Sequence, residues 1–106
     1  MVNRVDEIRK MLKTDPNDSF LTYALGLEYE KAGDLKKAIE VIKDLINTDP
    51  DYLGAYYKLG QLFEATNKMD SARKIYAHGI KLSTEKNDNK AKGELEEALW
   101  LIEEEQ

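Results

Sequence analysis

The 106-residue sequence predicts an all-α fold built as an array of paired helices, and three observations carry that expectation. Small, apolar and turn positions recur 34 residues apart: Leu25-Gly26 with Leu59-Gly60, Glu30 with Glu64, Ala38 with Ala72, and Pro16 with Pro50. A period of that length is one helical hairpin, which cannot bury its apolar face alone and must stack on a neighbour. Within each copy the apolar residues fall at helical spacing. Finally, 42% hydrophobic and 35% charged residues with no cysteine describe a globular chain with a modest core and no disulfide framework.

Residues 3–14 are expected to form a helix with Val5, Ile8, Met11 and Leu12 on its apolar face, closed by Asp15-Pro16. This matches the second helix of a preceding copy, so residues 3–16 read as a half-repeat. The first full copy spans 19–52. Its first helix runs from Ser19 to about Lys31, carrying Leu21, Thr22, Leu25, Gly26 and Tyr29 at helical spacing. Ala32-Gly33-Asp34 ends it, because Gly33 can turn left-handed and Asp34 can accept from the amides that begin the next helix. That helix, Leu35 to about Asn47, places Ala38, Ile39, Ile42, Leu45 and Ile46 on one face and stops before Asp49-Pro50. The second copy, 53–86, repeats the plan as Leu53 to Ala65, a turn at Thr66-Asn67-Lys68, and Met69 to about Leu82. Asn67 takes the glycine's place because asparagine tolerates left-handed geometry. The polar stretch Ser83 to Lys90 reads as an extended helix end and a loop. A last helix, about Ala91 to Glu104, carries Ala91, Leu95, Ala98, Leu99 and Ile102 as the cap that covers the final apolar surface. The whole of 1–106 is expected to be a single domain.

With these residues placed, the chain resembles the tetratricopeptide repeat (TPR) family. Leu25, Gly26, Tyr29, Ala38, Ile42 and Pro50 match its pattern in the first copy, and Tyr56, Leu59, Gly60, Phe63, Ala72 and Tyr76 match it in the second. Thr22 departs from the usual large residue, Gly79 from an alanine and Thr84 from the second proline. The resemblance covers about residues 3–102. It implies a right-handed array of about six helices and a protein or peptide partner. Fold alone leaves the function open.

The formal charge of -5 argues against a nucleic-acid or anionic-membrane surface, which needs a basic footprint. The start, MVNRVDEIRK, lacks the apolar core of a signal peptide, and no run approaches a membrane span, so a cytoplasmic location is expected. Phosphate loops, dinucleotide fingerprints, His-Glu-x-x-His and calcium loops are absent. The single histidine, His78, has no orienting partner beside it in the sequence. Acidic pairs such as Glu96-Glu97 read as solvated helix faces. No enzyme activity, metal or cofactor is expected.

In arrays of the TPR kind, the first helices of successive repeats line a concave groove. Reading their non-core faces puts Phe20, Tyr23, Leu27 and Glu30 there from the first copy, and Tyr57, Gln61 and Glu64 from the second, with Lys58 near the rim. The last helix would add Trp100 beside Glu96 and Glu103. Two readings fit this stripe: half-buried aromatics packing between helices, or anchors for a bound peptide. The resemblance also raises the clamp with which some TPR proteins hold acidic C-terminal peptides. The corresponding places here hold Tyr23, Leu27, Lys58, Gly93 and Glu97, of which only Lys58 is basic, so that clamp is not expected. A monomer is expected, with self-association through the groove or Trp100 as the alternative.

Overall fold

The computed structural model describes residues 3–104, and among them it contains six helices and no strand. The chain divides into two compact units, one reaching to Pro50 and the other starting at Asp51.

The first unit holds α1 (Arg4–Thr14), α2 (Ser19–Lys31) and α3 (Leu35–Thr48), with α1 packed on α2 and α2 on α3. Asn3 caps α1 by accepting from the Val5 amide at 2.9 Å, and Asp18 caps α2 by accepting from Leu21 at 2.9 Å. Both α1 and α3 end at a Thr-Asp-Pro, where the backbone of Asp15 and Asp49 turns out of the helical region as a residue before proline must. The Ser19 hydroxyl donates to the Asp49 carboxylate at 2.7 Å, which ties the start of the hairpin to its end. Ala38, Ile39, Ile42 and Leu45 of α3 are buried as the spacing predicts. On α1 the prediction needs a correction. Ile8 is buried, but Met11 is 52% exposed, because the contact with α2 runs through Ile8 and a polar flank. In that flank Arg9 donates to the Tyr29 hydroxyl, and Arg4 pairs with Glu28 at 3.2 Å.

The second unit holds α4 (Leu53–Ala65), α5 (Met69–Glu85) and α6 (Asn89–Glu104), with α5 packed on both others and α4 also touching α6. Tyr56, Leu62, Tyr76 and Leu95 are fully buried here. Burying a large side chain contributes on the order of 1.5–3 kcal/mol, so these dominate the unit's packing. The expected extended helix end carries α5 three residues past Leu82, to Glu85, and α6 begins two residues before Ala91. The expected loop is therefore a tight turn. Asn87 adopts φ 58°, and the Asp88 side chain accepts from the Ala91 amide at 3.0 Å.

Three turns thus share one design. Gly33, Asn67 and Asn87 all take positive φ. The next residue's amide reaches back five positions to a helix carbonyl, Asp34 to Tyr29 at 2.9 Å, Lys68 to Phe63 at 2.8 Å and Asp88 to Ser83 at 2.9 Å. This closure satisfies carbonyls that the end of a helix would otherwise leave open.

The repeated interior glycines are explained by close approach. A Cβ on Gly26 would lie 2.5 Å from Ile42 Cδ1, and one on Gly60 would lie 2.0 Å from the ring of Tyr76. Residues 42 and 76 occupy the same repeat position. In each unit the missing side chain is the space through which a buried side chain of the second helix passes beneath the first.

Candidate functional site

The passage beneath Gly60 leads to a recess in the second unit. Tyr76 is fully buried, yet its ring extends under α4 far enough for its hydroxyl to donate to the Glu64 carboxylate. Burial, then the hydrogen bond to Glu64, raise the pKa of this phenol well above the usual tyrosine range, so it stays protonated and remains a donor. Tyr57 lies over the same spot, its ring tilted 49° to that of Tyr76 with centroids 6.3 Å apart. Tyr57, Gln61, Glu64 and Tyr76, with Glu94, Glu97, Ala98 and Leu101 of α6, line a recess of about 270 Å³.

Three of the expected site residues, Tyr57, Gln61 and Glu64, are therefore brought together. Lys58, on the same helix, is partly buried but does not line the recess. Neither do Glu96 and Trp100. Trp100 is 57% exposed on the side of α6 turned away from the buried Leu95 and Ile102. Residues 94, 97, 98 and 101 form the stripe that α6 contributes instead, at the spacing of one helix face. That stripe was present in the sequence. It lies on the opposite flank of the Leu95–Ile102 seam from Glu96, Trp100 and Glu103, and nothing in the helix itself says which flank meets α4.

In the first unit, Phe20 is 69% exposed and Tyr23 is half-buried. Burial, and then the charge of Glu30, raise the Tyr23 pKa. Leu27 lines a shallow depression with Arg4, Ala24, Glu28 and Lys31. Among the described residues no group of His, Asp and Glu side chains is arranged to hold a metal ion, and no helix is long and apolar enough to cross a membrane.

The tetratricopeptide repeat family model matches residues 29–85. The chain belongs to the tetratricopeptide repeat family. A crystal structure of a TPR domain protein from Salinibacter ruber is 37% identical and covers 84% of this chain and 99% of that one, with a TM-score of 0.79. A TPR repeat-containing protein of Pseudomonas aeruginosa is 26% identical over 91 residues, 86% of this chain and 87% of its own length. The TPR2B domain of yeast Sti1, in its complex with pHsp70, superposes with a TM-score of 0.87 over 96% of this chain and 82% of that one. At 19% identity that likeness concerns the fold. TPR proteins are in general protein-interaction modules and not catalysts.

Proposed function

We propose that this TPR protein is a non-catalytic interaction module that holds a segment of a partner protein on the exposed faces of its repeat-opening helices. The observation that carries the reading is the recess beside α4. It places an aromatic ring, an amide and a carboxylate at the surface, on a helix whose opposite face is locked into the core. On α2 the matching contributors are Phe20, Tyr23, Leu27 and Glu30. Lys58, Glu96 and Trp100 would extend contact around the second unit. Tyrosine and tryptophan suit this role because they offer large contact area with few torsions to freeze.

The partner is a protein or peptide and not nucleic acid or membrane, given the net charge of -5. It is also not an acidic C-terminal tail. Lys58 is the one basic group at the clamp positions, while Glu97 would repel a carboxylate. Titration calorimetry with such a tail should show no heat of binding. The direct test of the reading is capture of a partner from native extract, followed by binding measurements with that purified partner. Replacing Tyr23→Ala together with Tyr57→Ala should abolish binding while the helical circular dichroism is unchanged. Undiminished binding would place the partner elsewhere.

Self-association is the second reading, and the exposed Trp100 and Leu101 on α6 favour it. Sedimentation across a concentration series decides it, since a strict monomer at high concentration excludes it.

A further inference from the structure

We propose that the recess between α4 and α6 is a socket for one arginine side chain of the partner protein, an inference that rests on the reading of α4 as a partner-binding face. Three carboxylates, Glu64, Glu94 and Glu97, border about 270 Å³, and no lysine or arginine lines it. Among the described residues, none of the three is paired with a basic side chain. The rest of the lining is not acidic. The Tyr57 ring, Ala98 and the half-exposed Leu101 form an apolar wall, and Gln61 adds an amide.

An acidic rim over an apolar wall matches a long cationic side chain and little else. A metal ion lacks a ligand set, since no three acidic or histidine groups converge among the described residues. A free small molecule usually occupies roughly 300–1,000 Å³ of enclosed pocket, more than is offered here. An anion is repelled. Between the two basic side chains, arginine fits better. Its planar guanidinium can stack on Tyr57 while donating to a carboxylate on the rim, and its stem can lie along Ala98 and Leu101. Glu64 is already held by the Tyr76 hydroxyl, which keeps one carboxylate fixed for such a fork.

The test uses the full isotope-labelled chain, titrated with the blocked peptide acetyl-Ala-Leu-Arg-Leu-Ala-amide and its citrulline and lysine counterparts, followed by amide chemical shifts. The arginine peptide should give saturable shifts at Gln61, Glu64, Glu97 and Leu101. The lysine peptide should bind more weakly, and the uncharged citrulline peptide at least tenfold more weakly. In Glu94→Gln/Glu97→Gln, where both side chains are at the surface and the fold is retained, the arginine peptide should lose at least tenfold in affinity. Equal binding of the citrulline peptide would overturn the socket while leaving an apolar partner face on α4 intact. Silence of these amides toward every peptide at millimolar concentration would overturn the socket outright. Whether α4 binds a partner at all is then read independently from Tyr57→Ala alone, measured against the captured partner protein.

Discussion

Replacing Gly60 by alanine tests how the second unit is packed. In an ordinary helix this change stabilises by about 1 kcal/mol, since glycine is the poorer helix former. Here the new methyl would sit 2.0 Å from Tyr76 Cε1, 2.4 Å from Cζ and 2.6 Å from Cδ1. Ordinary contact begins near 3.4 Å, so ring and helix must separate by about 1.4 Å. The ring has no easy escape, because it is fully buried and anchored at its far end by Glu64. Overpacking of this kind costs roughly 1–3 kcal/mol or more. With an overlap this severe the cost falls at about 2–3 kcal/mol; set against the propensity gain of about 1 kcal/mol, Gly60→Ala should destabilise by about 1–2 kcal/mol, a fall of roughly 4–15 °C in melting temperature.

Gly26→Ala is the internal control. Its methyl would meet the end of a flexible chain, Ile42 Cδ1 at 2.5 Å and Cγ1 at 2.9 Å, which can rotate away. The net effect there should lie within about 1 kcal/mol of zero. Urea unfolding followed by circular dichroism measures both. In Gly60→Ala/Tyr76→Ile, with the first unit's residue at the second unit's position, the combined loss should be at least about 1 kcal/mol smaller than the two single losses added. A Gly60→Ala protein as stable as the parent would refute the passage beneath α4, as would equal costs at the two glycines.

Further expectations concern the turns, the caps and the phenols. Asn67→Ala forces a β-carbon residue without a locally bonding side chain to φ 60° and should cost about 1–2 kcal/mol, whereas Asn67→Gly should be neutral or stabilising; thermal melts distinguish them. Asp18→Ala removes the acceptor of the Leu21 amide and should lower stability by about 1 kcal/mol in chemical denaturation. Burial raises the phenol pKa of Tyr76 and of Tyr23, helped by Glu64 and Glu30 respectively. The unfolded chain then loses these protons first, from about pH 10, so stability is full below that pH and falls as pH rises toward the folded values. Tyr76→Phe should flatten this alkaline decline in a pH series of melts, and an unchanged slope would refute the assignment.

Much of the fold was legible in the sequence, because the features that determine it are local. The Asp-Pro ends of α1 and α3, the Asp34 cap and the Gly33 and Asn67 turns act within a few residues of themselves, so their positions can be read directly, whereas the Asp18 cap was not read. The same logic held at Asn87-Asp88, but without a proline or a second copy in register the turn there read as loop. Met11 failed for a different reason. Helical spacing reports a face, and only the position of α2 decides how wide a strip of that face is covered.

Of the candidate site, Tyr57, Gln61 and Glu64 were accessible to sequence reasoning because they share a helix face of known register. Their neighbours Glu94, Glu97, Ala98 and Leu101 were not, because a capping helix has no repeat partner to show which flank of its buried seam turns inward. By itself the sequence determined a tetratricopeptide array with the turns at Gly33 and Asn67 and the repeated glycines at 26 and 60, since periodicity and backbone chemistry are properties of the chain. Only the tertiary structure decided that Tyr76 runs beneath Gly60 to hold Glu64, and that carboxylates 30 residues apart border one recess. Such meetings depend on how helices pack across distances that no local pattern encodes.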